Sequence, residues 1–318
     1  MTSPQRDQVA LSRTTVSVIV VTYNAPEWIP RSIESILDAD FSTRAAVELI
    51  VVDNASDEET QRILNRYETR ANVIRLTSNV GFGKACNIGA AAASGEFVLL
   101  LNPDTESGPR VVDALLEHYE EHPMAGIVGG RTLTEDGSLD PRSCWGRPTL
   151  WSSLTGALGL SAVLPRNRFL DPESLGKWDR STSREVDIVT GCLLFTSREV
   201  WRRLGGFDET FFMYGEDADL CLRAKAIGYS PRITPEATII HAVGASSTAT
   251  LNKQRLLYRG KCSILRKHLP RWQSPIARRL AEIGVWTRMT GSRFGNPQKA
   301  EVYSALWRER RGWRNGWT

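Results

Sequence analysis

Over the first 130 positions apolar residues come in short unbroken runs, and each run stops at a polar residue. VSVIVV at 16–21, LIVV at 49–52 and FVLLL at 97–101 are rich in β-branched residues or leucine. Such runs predict strands buried on both faces, as in a parallel sheet. A shorter strand is expected at 73–76, and another begins at 127–128. Between the runs the apolar period lengthens. Ile29, Ile33, Ile36 and Leu37 share one side of a helix predicted over 27–39. Helices are also expected from the acidic start Ser56-Asp57-Glu58-Glu59, over the Ala-rich 84–93 and over 110–122. Strands alternating with helices predict an α/β fold with right-handed crossovers.

The alternation breaks at 137–185, where Pro141, Pro148, Pro165 and Pro172 interrupt short apolar segments. An irregular, lid-like excursion is expected there. VDIVTGCLLF at 186–195 resumes the sheet, and helices are expected over 197–204 and from the acidic stretch to about 227. The last strands are expected at 229–233 and 237–241, with helices beyond 246. Residues 1–15 are polar and expected to be disordered.

At 318 residues, with 41% hydrophobic and 24% charged positions, the chain suits one large α/β domain with an appendage. No apolar run reaches the ~18 residues of a membrane span, and the N-terminus has no apolar signal-peptide core. Five scattered cysteines without a CxxC pair argue against a disulfide framework or structural zinc and fit a reducing compartment. A cytoplasmic location is expected.

Charge divides the chain. Residues 246–318 hold 16 Lys and Arg against 3 Asp and Glu, a net +13; the remaining 24 basic and 33 acidic residues net −9. The same tail carries five of the ten tryptophans: Trp272, Trp286, Trp307, Trp313 and Trp317. Arg and Lys with Trp suit an anionic membrane surface. They also suit nucleic acid, for which no recognition motif is present, and a solvated basic helix face with Trp in the core reads the same way.

In open parallel sheets ligands bind beyond the carboxyl ends of the strands. That draws attention to Thr22-Tyr23-Asn24, Asp53-Asn54, Asn79 and Asn102-Pro103-Asp104, each just after a run. Gly81-Phe82-Gly83 is not a dinucleotide fingerprint: it follows the third strand, position 86 is Cys, and the first strand ends without glycine. A P-loop motif is also missing. Asp53 can accept hydrogen bonds from a uracil- or thymine-like ring or a ribose, with Tyr23 flanking it. Either residue can equally serve an N-cap or turn. Asp104 can hold Mg2+ or Mn2+, with His241 as a second ligand, although a lone histidine is more often structural. The stretch GGFDETFFMYGEDADLCLR at 205–223 sets five carboxylates among aromatics. Burial there raises carboxylate pKa values toward general-base range, while a capped helix start would look alike.

VSVIVVTYN, VVDNAS, NVGFGKACNIG, LLLNPDT, GGFDETFFMYGEDADLCLR and HAVGAS occur in that order over residues 16–246. Together they resemble inverting family 2 glycosyltransferases of the GT-A fold, most closely the rhamnosyltransferase branch. The resemblance implies a Rossmann-like, mostly parallel central sheet flanked by helices over 16–245, followed by a basic helical extension over 246–318. It implies that Thr22, Tyr23, Asn24 and Asp53 line the nucleotide pocket. Asn79, Gly81, Phe82, Gly83 and Asn87 would shape the donor wall. Asn102 and Asp104 stand where the fold has its DxD motif, the Asn removing one charge. Asp104 and His241 would meet Mg2+ or Mn2+ and the diphosphate. Asp217 would be the general base, with Glu216 beside it and Phe211, Phe212 and Met213 as apolar surround, while Asp219 and Arg223 would contact acceptor or diphosphate. The excursion at 137–185 would lie on the acceptor side. The implied donor is a nucleoside diphosphate sugar, dTDP-rhamnose first and UDP-linked hexose, N-acetylglucosamine or galactofuranose as alternatives. The acceptor would be a lipid-linked saccharide or oligosaccharide, met at the inner leaflet through the basic C-terminal region. A non-catalytic nucleotide-sugar or carbohydrate-binding module on the same fold is the competing class.

Overall fold

The computed structural model describes residues 14–242, 250–293 and 295–318. Almost all of the N-terminus expected to be disordered, and the HAVGAS segment after Ala242, lie outside the described residues.

β1 (Thr15–Thr22) is buried along seven of its eight residues. It is followed by α1 (Ile29–Leu37), β2 (Ala46–Asp53), α2 (Glu58–Leu64), β3 (Asn72–Arg75), α3 (Phe82–Ala92) and β4 (Phe97–Leu101). β1 pairs in parallel with β2 and β4, and β2 pairs in parallel with β3. Alternate residues of the runs serve opposite faces. Val16, Val18, Val20 and Val51 join the core under α1, with Ile29, Ile33 and Ile36. Ile19, Ile50, Val52 and Leu100 join the core under α3, with Ala85, Cys86 and Ala90.

The second half mixes directions. It contains β5 (Thr105–Ser107), α4 (Val111–Glu121), β6 (Ile127–Leu133), β7 (Cys144–Trp145), α5 (Leu150–Ala157), α6 (Leu160–Val163), β8 (Arg184–Glu185), β9 (Ile188–Val189), β10 (Leu193–Ser197), α7 (Arg198–Leu204), α8 (Glu216–Ala226) and β11 (Arg232–His241). The main sheet runs β3-β2-β1-β4-β10-β6-β11-β5, with β8 also on β11. β10 is antiparallel to both β4 and β6. The single strand expected at 186–195 is therefore two: β9 pairs with β7 in a separate ribbon, and β10 joins the main sheet. The two strands expected at 229–241 are one. Its register on β6 shifts between Ile233 and Thr238, around Pro235, which has no N–H to give a ladder.

The excursion at 137–185 is more ordered than expected. Thr149 and Ser152 form a reciprocal capping box on α5. Arg180 is fully buried, and its guanidinium donates to the carbonyls of Trp178, Pro141, Cys144 and Ser174, stitching the segment together.

The chain closes with α9 (Leu251–His268), α10 (Gln273–Ser292), α11 (Pro297–Arg308) and α12 (Arg310–Trp313) around Cys262, Val285, Tyr303, Leu306 and Trp313. Trp313 and Trp317 are buried, Trp313 donating to the Leu306 carbonyl at 2.9 Å. Two of the five tail tryptophans are thus core residues and not surface anchors. Among the described residues no helix is long and apolar enough to cross a membrane.

Candidate active site

Parallel pairing brings strand ends to one edge. Thr22 and Asp53 face each other at the ends of β1 and β2, both fully buried. Asp53 accepts the Ser56 amide at one oxygen (3.0 Å), while its Oδ2 and the Thr22 hydroxyl have no partner. Buried polar atoms left unpaired are costly, which makes these two candidates for contact with a ligand. Tyr23 lies half exposed beside them. Asn24 instead ties the loop: its backbone N–H donates to Ser56 Oγ at 3.0 Å and its side-chain oxygen accepts the Asp57 amide at 2.8 Å.

Asn54 donates to Asn79 Oδ1 at 3.1 Å and accepts the Val80 amide at 2.9 Å. Asn79 in turn accepts the Gly81 amide at 3.0 Å. These bonds set the entry of α3. Gly81 has φ +88°, and a Cβ there would collide with the Phe212 carbonyl; Phe82 donates to that same oxygen at 3.0 Å. Gly83 lets α3 approach Phe207 and Glu216 closely. Asn87 accepts the Phe207 amide and donates to the Phe207 carbonyl, both at 2.9 Å. Its amide is used to hold the acidic stretch, not to line a donor wall.

α8 begins on Gly215 with Glu216 and Asp217 in its first turn. One Asp217 oxygen accepts the Gly191 amide at 3.1 Å, and the other accepts the Ala218 amide at 2.8 Å. Burial pushes the Asp217 carboxyl up, and these amides oppose it by favouring the anion. Glu216 is 5% exposed, and its Oε2 has no partner. Burial first and the Asp217 charge second push it up to about 8. Burial disfavours two charges side by side, so the pair holds a proton near neutral pH; Glu216, raised the further and with Oε2 unpartnered, is the member assigned it, and Asp217, with both oxygens on amides, is assigned the charge. The aromatic surround differs from expectation in part: Phe211 is buried against Gly215 as expected. Phe207 and Phe82 pack behind the pair, whereas Phe212 is partly exposed against Trp317.

The candidate donor corner, at the end of β4, adjoins this pair. β10 runs antiparallel to β4, so Gly191 and Cys192 sit beside the end of β4. Asn102 donates its backbone N–H to the Cys192 carbonyl at 3.2 Å and its side-chain amide to Cys192 Sγ at 3.1 Å. Asp104 follows, with Oδ2 3.2 Å from His241 Nε2 and a buried Oδ1 that has no partner. His241 Nδ1 lies 3.5 Å from Asp140, which Arg142 also clasps at both oxygens. Burial opposes charge on His241, but the hydrogen bonds its ring N–H groups give to Asp104 and Asp140 outweigh it and hold the imidazole up to about 9. The unpaired Asp104 oxygen suits Mg2+ or Mn2+; His241, with both ring nitrogens facing carboxylates, would join it as a ligand only by giving up its Nε2 proton.

The profile of Glycosyl transferase family 2 matches residues 17–169, and that of Glycosyl transferase family group 2 matches residues 173–316. The N-acetylglucosaminyl-diphospho-decaprenol L-rhamnosyltransferase of Mycobacterium tuberculosis is 31% identical over 240 residues, covering 70% of this chain and 75% of that one. The chain belongs to glycosyl transferase family 2. Solved relatives share the fold. A mannosyltransferase from Pyrobaculum calidifontis, in complex with GDP-Man and Mn2+, gives a TM-score of 0.55 at 21% identity, over 96% of this chain and 84% of its own. GalNAc-T7 with UDP, GalNAc and Mn2+ gives 0.56 at 16% identity, over 82% of this chain and 52% of its own. Both are glycosyltransferases, and the architecture is the GT-A type.

In this glycosyltransferase Asp219 and Arg223 do not take the roles expected of them. Asp219 is fully buried and meets Arg223 Nε at 2.7 Å, Lys267 Nζ at 2.6 Å and His268 Nε2 at 2.8 Å. Arg223 also donates to the carbonyls of Leu204 and Gly206. The two form the rivet between α8 and α9, and Asp219, fully buried among three cations, is not open to a substrate. Conversely, Asp140, Gly191 and Cys192 went unnoticed in the sequence. A glycine inside an apolar run is the signal that marks Gly191, since it permits close backbone approach.

Proposed function

We propose that this glycosyltransferase moves L-rhamnose from dTDP-rhamnose, with inversion, to a hydroxyl of a polyprenyl-diphosphate-linked saccharide in cell-wall or surface polysaccharide assembly. The observation that carries the reading is the Asp217 carboxylate bonded to Gly191, one residue from the Cys192 that anchors Asn102 of the donor corner. A base beside the donor site is what a single inverting displacement requires. Likeness to the mycobacterial rhamnosyltransferase supports the choice of sugar and acceptor. An acceptor of that kind places the reaction at the inner leaflet.

In this mechanism Asp53, Thr22 and Tyr23 hold and flank the nucleoside. Asp217 takes the proton of the acceptor hydroxyl as its oxygen bonds to the anomeric carbon. The bond from that carbon to the diphosphate breaks, and the nucleoside diphosphate leaves with the electron pair. Protonated Glu216 keeps a second charge away from the base. Asp104 and His241 would hold Mg2+ or Mn2+, which when bound neutralises charge on the departing diphosphate.

Thermal stabilisation by a panel of nucleoside diphosphate sugars with Mn2+ tests the donor, because stabilisation tracks affinity. The largest shift is expected with dTDP-rhamnose. A shift confined to UDP-hexose, UDP-N-acetylglucosamine or a UDP-galactofuranose donor would overturn the rhamnose assignment. Binding without turnover on any acceptor would favour a non-catalytic module.

A further inference from the structure

Thirteen large apolar side chains are exposed among the described residues, and nine lie in two segments, 151–169 and 272–286. Those segments are neighbours in space. α10 packs along α5, with Thr287 Oγ1 donating to the Ala157 carbonyl at 2.7 Å and Arg288 to the Gly156 carbonyl at 3.2 Å. Gly284 permits that approach, its α-carbon facing the Gly156 carbonyl.

On α10 the spacing is telling. Trp272, Ile276, Ile283 and Trp286 are separated by four, seven and three positions, which puts them on one face. They are 64%, 45%, 45% and 49% exposed, while Ala277, Ala281, Val285 and Met289 of the same helix are buried. The stripe therefore points away from the protein's core and is not a surplus of it. α5, packed along α10, exposes apolar side chains of its own. Trp151 is 51% exposed and donates its indole N–H to the Phe169 carbonyl at 2.7 Å, which brings exposed Phe169 beside it. Leu158 and Val163, which follow in the chain, are exposed as well.

Charge says what covers the face. Arg168 stacks on Phe169, its guanidinium 5.2 Å from the ring centroid. Arg271 precedes Trp272, and Arg279 falls inside the stripe, between Ile276 and Ile283. All three are exposed. The nearest acidic side chain on α10, Glu282, is buried and bonded to Arg279 and Arg314. An apolar ridge with indoles at its ends, studded with arginine and without exposed carboxylate on α10, matches the interface of an anionic bilayer, where indole sits at headgroup depth.

We propose that α5, α6 and α10 form a composite docking face that seats the enzyme on an anionic lipid surface. This deepens the lipid-linked acceptor reading and rests on it for its purpose. α9 connects the face to the chemistry: it packs on α10, and its Gly260 abuts the Tyr214 carbonyl in the turn before Glu216. The face is not the basic tail as a whole, because Trp313 and Trp317 are buried, and half of it comes from the 151–169 segment.

The test uses the full chain and cosedimentation with vesicles of phosphatidylcholine, with or without phosphatidylglycerol. Wild-type protein is expected to bind the phosphatidylglycerol vesicles and to be released by added salt. W272S/W286S and, separately, R168Q/R271Q should each weaken that binding by about tenfold or more. Both should keep the wild-type melting temperature and wild-type turnover on a water-soluble, short-chain acceptor analogue. Equal binding by the variants, no binding by the wild type, or a wild-type dimer that W272S/W286S converts to monomer would overturn the proposal. The last outcome would make the face a contact between copies. Turnover on the soluble analogue reads the transferase assignment separately, so failure of the sugar or acceptor reading leaves the vesicle result interpretable.

Discussion

Substituting Asp219 by Asn removes the charge at the rivet between α8 and α9. The carboxylate is fully buried among Arg223, Lys267 and His268. Those cations and hydrogen bonds outweigh burial and hold its pKa far below the ordinary carboxylate range. Stranding a buried charge usually costs about 3–5 kcal/mol. Here the remaining partners soften the loss. Lys267 keeps Asp208 at 2.6 Å, and Arg223 keeps two carbonyls. A loss of about 3 kcal/mol, the lower end, is expected, which lowers the melting temperature by roughly 5–10 °C. Urea unfolding followed by tryptophan fluorescence measures it. The sign with pH follows from the depressed pKa. Wild-type stabilisation from this group is complete above the unfolded-state value and fades as pH falls below it, so the two proteins converge in acid. The acceptor KM of folded D219N should stay within about twofold of wild type. A stability change under about 0.5 kcal/mol with a tenfold rise in acceptor KM would refute the reasoning and return Asp219 to the acceptor site.

Three further substitutions probe other joints. Gly260→Ala should gain about 1 kcal/mol of helix propensity in α9, yet its Cβ would strike the Tyr214 carbonyl; kcat is expected to fall with helical circular dichroism unchanged. Asp113 accepts from Ser42, Thr43 and Arg44, and these bonds outweigh burial to hold its pKa at about 2. D113N should cost about 2.5 kcal/mol at pH 7, from a shift of nearly two pH units, and the deficit should vanish as pH falls from about 4 to 2, followed by denaturation at stepped pH. Asp104→Asn should abolish the extra thermal stabilisation that Mn2+ adds to a bound donor, and EDTA should do the same to wild type; retention of it in D104N would remove Asp104 from the metal site.

The sheet's first half was readable because β-branched runs such as 16–21 and 49–52 have no polar face to mislead the reader. Once those strands are parallel, Thr22, Asp53 and Asp104 must share an edge. β10 was not readable in direction: a run buried on both faces looks alike whichever way it points. Asp219 was misread because an acidic residue four before an arginine on a helix fits either a substrate contact or an ion pair. Lys267 and His268, which decide the matter, lie 48 and 49 residues away in sequence. Composition also pooled five tail tryptophans that packing separates. Trp313 and Trp317 fill the core, while Trp272 and Trp286 stand outward, a division that helical spacing alone records on α10.

The division of labour between Glu216 and Asp217 is the centre of the account, and one rate comparison tests it. At pH 7, with saturating donor, Asp217→Asn should lower kcat by about 10²–10⁴, the usual worth of a general base. Glu216→Gln replaces a carboxyl already protonated at that pH, so its kcat should stay within about fivefold of wild type. Near-normal turnover by D217N, or a loss in E216Q equal to that in D217N, would contradict the assignment of Asp217 as the base.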